Sequence, residues 1–354
     1  MCQHPGIYIR EELDKIEMSQ KELATRIGVS EKLVSLIISG ARDISANFAR
    51  KLGYVLKDSK YWLDAQASYE AEQQKVADKN GIGDDEVKLL KEFKIIIPYL
   101  MQEGWIHNDC GDVEKVLQLR EFLQVSNLSL IPHISYNAAY RAQLSKNINI
   151  NPFILFAWQR LCEKEVENIH PKVEVNTNEL EEYISDIKNL MSKDISTIAN
   201  HLEQIFFKCG IAFKVVKNFK GAPVQGFIKS SVDKLILCVT LRGKNADRFW
   251  FTLFHEMAHI LHGDYNKRFI DFDSVNSEQE EKADEWARNQ LIDPVAYKNF
   301  IFDRDPTSFE EIVSFATENK VPPFIVIGRL QKDQYLEYSD FQSYIPQYQF
   351  ENIN

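Results

Sequence analysis

Apolar positions recur at helical spacing along most of this chain, and only a few short runs read as strands. Residues 5–16 carry the first helical pattern, with Ile7, Ile9, Leu13 and Ile16 in its apolar set. Ser19-Gln20-Lys21-Glu22 is a capping box that opens a second short helix, with Leu23, Ala24 and Ile27 turned inward. Gly28 closes it, because a left-handed residue is easiest for glycine. Ser30 then caps a third helix, Glu31 to Ile38, stopped by Ser39-Gly40. Helix, tight glycine turn, helix is the pattern of a helix-turn-helix, whose third helix enters the major groove. On it Leu33, Val34 and Ile37 pack inward, leaving Ser30, Glu31, Lys32 and Ser35 as candidate DNA contacts near its N-terminal end. Gln20, opening the second helix, and Arg42, in the loop after the third, complete the candidate set.

Beyond residue 70 the chain turns polar and ends in Gly81 and Gly83, which predicts a helix running out into a linker. Helical patterns follow over Val87–Met101, Val113–Leu123, Asn137–Leu144, Pro152–Val166 and Glu179–Met191. His107, His133 and His170 stand isolated among them, and Trp105, Phe153, Phe156 and Trp158 read as core. The pattern changes near residue 196. A helix over Ile195–Cys209 precedes a strand over Ile211–Val216 and a hairpin formed by Gly226–Lys229 and Leu235–Leu241. Helices over 245–263, 277–291, 308–319 and 321–330 complete an α+β set, with an aromatic tail, 335–354, that packs down or meets a partner. The expected organisation is multidomain and mostly α. It comprises an all-α helix-turn-helix domain over 1–75, a helical linker or sensor over 76–195, and a C-terminal α+β zincin-like domain over 196–354.

The chemistry concentrates in Phe254-His255-Glu256-Met257-Ala258-His259-Ile260-Leu261-His262. Histidines four apart share one face of a helix, so both imidazoles reach one ion, and Glu256 sits close enough to touch a water on it. That is the H-E-x-x-H arrangement of a zinc peptidase, in which the carboxylate is the general base. Zinc lowers the pKa of its bound water to about 7, and Glu256 would pass the proton to the leaving amine. A third ligand is required. The metzincin continuation fails, since His262 and Tyr265 occupy the positions that it gives to Gly and His. The next helix supplies Glu280 and Asp284 at i and i+4. In the gluzincin arrangement the first acid binds zinc and the second steadies a ligand histidine. Glu280 is the preferred ligand, with Glu281 its competitor one residue away. His262, a turn beyond His259, is expected to support or pack against the site, and Tyr265 is a candidate for oxyanion stabilisation.

His255–His259, Glu280-Glu281-Lys282-Ala283-Asp284-Glu285-Trp286-Ala287 and Leu291-Ile292-Asp293-Pro294 together resemble the ImmA/IrrE family of metallo-endopeptidases. The lead-in 241–252 resembles the branch of that family fused to a HigA-type helix-turn-helix. His4-Pro5-Gly6, Ser19 to Ala24, Gly28-Val29-Ser30, Ser39-Gly40 and Tyr61-Trp62-Leu63 likewise resemble the HigA-type antitoxin and repressor domain. The resemblance implies a zinc peptidase that cleaves repressor-type proteins, joined to a DNA-binding module.

Composition changes this picture little. Over 354 residues the chain is 44% apolar and 27% charged, as in ordinary proteins with real cores. Its net charge of −10 argues against nonspecific coating of nucleic acid while leaving room for a local DNA-binding face. Residues 1–70 hold ten basic and ten acidic side chains, so a homodimer on a palindromic double-stranded operator is expected to supply the affinity. No stretch approaches a membrane span and the start has no signal-peptide core, and Cys2, Cys110, Cys162, Cys209 and Cys238 read as reduced cytosolic thiols. The expectation is a cytoplasmic transcriptional regulator with its own zinc endopeptidase, acting on itself, a repressor or a partner toxin. Its rivals are a non-enzymatic antitoxin that sequesters a toxin, its zinc structural or lost, and a metal-sensing repressor.

Overall fold

The computed structural model describes residues 3–108, 110–134, 139–142, 150–266 and 277–350, with only the backbone path of 139–142. In chain order the helices are α1 (Gly6–Lys15), α2 (Gln20–Ile27), α3 (Glu31–Ile38), α4 (Ala46–Leu52), α5 (Ser59–Asn80), α6 (Asp84–Lys88), α7 (Ile97–Gln102), α8 (Asp112–Leu123) and α9 (Pro152–Glu165). They continue as α10 (Thr177–Glu182), α11 (Ile184–Asn189), α12 (Ile195–Lys208), α13 (Ala246–Leu261), α14 (Ser277–Leu291), α15 (Pro294–Asp303), α16 (Phe309–Glu318) and α17 (Pro323–Lys332). The strands are β1 (Ala139–Ala142), β2 (Ile211–Val216), β3 (Val224–Ser230) and β4 (Leu235–Thr240).

Contacts divide the chain into two units, residues 1–88 with 109–118 and residues 89–108 with 119–354. This division differs from the three segments read from the sequence. The expected boundary at 75 falls inside α5, which runs to Asn80, and the residues expected as a separate middle domain are shared between the two units.

In the first unit α1 to α5 enclose a core that includes Ile9, Leu13, Leu23, Ile27, Val34, Ile37, Phe48, Leu52 and Trp62. Each helix start is satisfied locally. Ser19 Oγ accepts from the Glu22 amide at 3.1 Å, Ser30 Oγ from Leu33 at 3.2 Å and Ser45 Oγ from Phe48 at 3.2 Å. The capping box of α2 is half realised, since Glu22 binds Arg26 at 2.5 Å instead of reaching back to Ser19. Gly28 ends α2 in the left-handed region, at φ 63°. Gly6 lets α1 touch α3, since a Cβ there would stand 2.0 Å from the Ile37 carbonyl oxygen.

The second unit is built on a sheet of order β1-β3-β4-β2, with β2 parallel to β4 and the other two pairings antiparallel. Phe213, Val215, Ile228, Leu237 and Val239 join the core shared with α12 and α13. On the opposite face Trp158 of α9 meets Phe227 edge-on, and Cys238 Sγ lies 3.9 Å from the Cys162 carbonyl. Covering both faces explains why β4 reads as an unbroken apolar run rather than an alternation.

Three helical expectations change here. The pattern over Val87–Met101 breaks into α6, a 3-10 turn at Leu89–Phe93, and α7, which restarts where Pro98 is tolerated in a first turn. Glu179–Met191 divides into α10, α11 and a 3-10 turn. Of the helix expected over Asn137–Leu144, residues 139–142 form β1 through main-chain pairing with β3, and its remainder lies outside the described residues. Helix α15 went unread, although Asp293 caps it by accepting from Ala296 N at 2.7 Å and Pro294 opens it. The tail packs down, with Leu336, Ile345 and Tyr348 buried in the core of this unit.

Candidate metal centre

Helix α13 points its Phe249, Trp250, Leu253, Phe254, Met257 and Ile260 into the core, which fixes where its remaining face looks. Its first turn has no side-chain cap; the tail supplies the missing acceptor. Ala246 N donates to the Pro346 carbonyl at 2.9 Å, Tyr348 N donates to Lys244 O at 2.7 Å, and Trp250 Nε1 donates to the Tyr348 hydroxyl at 3.1 Å. The helix ends at His262, followed by a left-handed Gly263 at φ 72°. Helix α14 packs beside it and is amphipathic in the opposite sense, with Ala283 and Ala287 buried and its acids at the edge of the contact.

Between them His255, His259 and Glu280 bring donor atoms within 4.8 Å of one another. The Nε2 atoms of His255 and His259 are 2.9 Å apart, and Glu280 lies 3.1 Å from the first and 3.6 Å from the second. Donors about 2.0–2.1 Å from a tetrahedral zinc stand roughly 3.3 Å from each other, so these separations fit one ion. Both histidines are fully buried, and each has its Nδ1 next to an acid. His255 Nδ1 lies 2.7 Å from Asp284 Oδ1, and His259 Nδ1 lies 3.6 Å from Asp264 Oδ2. With the ring protons on the acid side, two imidazole lone pairs and a carboxylate converge on one point. Such a donor set, with its supporting acids, could hold a zinc ion.

Glu256 is also fully buried, next to the strand β3. Gly226 makes that possible, because a Cβ there would lie 2.2 Å from Glu256 Oε1. A cavity of about 300 Å³ has Gln225, Phe251, Thr252, Asp284, Arg288 and Lys332 in its lining; Asp284, which meets His255, is where it borders the cluster.

The structure thus brings together His255, Glu256, His259, Glu280 and Asp284 as the sequence spacing expected. Glu281 is exposed beside them and has no place in the donor set. Of the two alternatives expected for His262 the structure shows packing, and Tyr265 lies elsewhere. His262 is exposed at the end of α13 with its ring 6.5 Å from Trp286, so it packs and does not steady a ligand. Tyr265 lines a separate hollow with residues 171–175 and 230–235. Sequence reasoning missed Asp264, which Gln279 holds by donating to its Oδ1 at 3.0 Å. The available signal was an acid directly after the helix-ending Gly263.

In the first unit Glu31, Lys32 and Ser35 are exposed on α3, Gln20 is half-buried at the start of α2, and Arg42 is exposed in the loop beyond. Ser30 is exposed too, with its hydroxyl accepting the cap bond from Leu33.

Among the described residues no helix is long and apolar enough to cross a membrane. Residues 9–53 match the helix-turn-helix family, which makes this part of the chain a DNA-binding regulatory module. The chain is also similar to virulence-associated protein A' of Dichelobacter nodosus, 38% identical over 80 residues, which cover 22% of this chain and 70% of that protein. The likeness falls in the N-terminal part, and through it the chain belongs to the family of virulence-associated protein A'.

Proposed function

We propose that this DNA-binding regulator also carries a zinc-dependent endopeptidase in its second unit, resembling the ImmA/IrrE peptidases, and that it acts as a homodimer on a palindromic operator. The observation that carries the peptidase reading is the buried convergence of His255, His259 and Glu280, with an acid behind each histidine. When bound there, zinc supplies Lewis acidity and makes water acidic enough to ionise near neutral pH. Glu256 accepts the proton of the attacking water and returns it to the departing amine nitrogen, a role that suits a buried carboxylate one residue from a ligand histidine. Asp284 holds the His255 ring in the tautomer that presents Nε2, and Asp264, 3.6 Å from His259 Nδ1, puts negative charge behind the second ring. The cavity bordered by Phe251, Thr252 and Gln225 receives a substrate side chain, and Arg248, Arg288, Arg329 and Lys332 outnumber Asp247 and Asp284 in its lining.

The test combines metal content with turnover. Native mass spectrometry of the wild type should give about one zinc per chain, lost in His255→Ala. Glu256→Gln should keep the zinc and lose hydrolysis of an unfolded protein substrate by roughly 1,000-fold or more. A wild type that takes up no zinc after reconstitution would reduce the second unit to a binding scaffold. Zinc uptake with undiminished turnover in Glu256→Gln would remove Glu256 from the base role.

A further inference from the structure

Strand β3 is the strand that touches Glu256, and it has two edges. β4 holds one, with Gly226 opposite Val239 and Ile228 opposite Leu237. The chain's own residues 139–142 hold the other, antiparallel, with Ala139 opposite Ile228, Tyr140 opposite Phe227 and Ala142 opposite Val224. Between these pairs the register shifts, so that Gln225 and Gly226 together stand opposite Arg141. The main chain of 139–142 therefore passes, at the usual strand spacing of about 4.8 Å, beside the glycine that Glu256 packs against.

We propose that residues 139–142 hold the place on β3 that an extended protein substrate takes, so the chain's own strand competes with its substrate. This rests on the peptidase reading above. A polypeptide bound by strand addition needs a strand edge within reach of the catalytic groups, and main-chain pairing supplies the affinity. β4 cannot give way, since all six of its residues are buried and it also pairs with β2. The edge under 139–142 is the one that can be exchanged. The register shift between Tyr140 and Ala142 interrupts this pairing, and an incoming strand replaces its main-chain hydrogen bonds like for like. The partner defined by this edge is an extended, locally unfolded protein segment running antiparallel to β3.

The experiment places proline at both Tyr140 and Arg141 in the full chain. Successive N–H groups of a strand point to opposite sides, so the double substitution removes the donor facing β3 whichever of the two it is. The control, Tyr140→Ala with Arg141→Ala, keeps both amides. Two readouts are taken: hydrogen exchange of the β3 amides over 224–228, and the zinc-dependent rate on reduced, carboxymethylated casein as probe. Exchange about tenfold faster and a casein rate several-fold higher in the proline variant, with the alanine control unchanged, are expected. Unchanged exchange would show that 139–142 does not hold this edge. Faster exchange with a measurable casein rate that stays the same would overturn the competition. Faster exchange with no hydrolysis by any variant would instead overturn the peptidase reading and take the substrate role with it.

Discussion

A glycine inside a buried strand gives up side-chain packing and costs backbone entropy, so its presence asks for a local reason. At position 226 the reason is Glu256, whose carboxylate fills the space a Cβ would need. Gly226→Ala is therefore a test of the base that leaves the ligands alone. The methyl must push either the carboxylate or β3 aside, and a displacement of about 1 Å at a reacting group costs roughly 100-fold in rate. Turnover should fall by that order while zinc content by mass spectrometry stays at the wild-type level, since His255, His259 and Glu280 are untouched. Full turnover in the variant would mean that Glu256 does not act from this position. The same close reading separates Glu280 from Glu281: spacing alone leaves the two acids as neighbours, and only packing against α13 turns one inward.

At the scale of elements, legibility followed how local the cause was. Helices α2 and α3 were readable because Ser19, Gly28 and Ser30 act within a few residues of where they stand. Helices α13 and α14 were readable because the histidine and acid spacings coincide with apolar periodicity. The strand β1 was not, because residues 139–142 become a strand only through pairing with β3, about 85 positions further on. Asp264 escaped for a similar reason, since its meaning depends on Gln279 from α14. The start of α13 holds another such long-range feature. Asp247 packs against α17, where a Cβ on Gly328 would stand 2.5 Å from Asp247 Oδ2, and burial pushes its carboxyl above the usual carboxylate range. A raised folded pKa means that the native state holds the proton more tightly than the unfolded chain. The stability this contributes is present below the unfolded value, near 3.9, and is lost as pH rises through the folded value. Asp247→Asn removes that loss. The variant should gain on the wild type as urea denaturation is repeated from about pH 4 to pH 7. A stability difference that stays flat over this range would show that the burial is not felt as a proton affinity.

For the whole molecule, the question is whether the candidate metal site and the DNA-binding helices are built on the same core. The core under α3 is drawn from residues 9–62, and the core under α13 from residues 180–348. A zinc ligand shell contributes to the folding of the unit that builds it, and that unit here contains His255, His259 and Glu280 but not α3. The prediction is that operator affinity is independent of zinc, whereas the stability of the second unit is not. Once the operator is identified by sequence selection with the full chain, the prediction is read by titrating it at fixed salt, with zinc loaded and after chelation. The salt must be held constant because phosphate contacts make any affinity steeply salt-dependent. Wild type with and without zinc, and His255→Ala, should agree within about twofold, while the melting temperature of the second unit falls in the two zinc-free states. An operator affinity that moves tenfold with zinc alone would mean that the cluster is a sensor coupled to α3. The buried acids behind its histidines would then serve a switch, and the peptidase would have to be argued again from turnover.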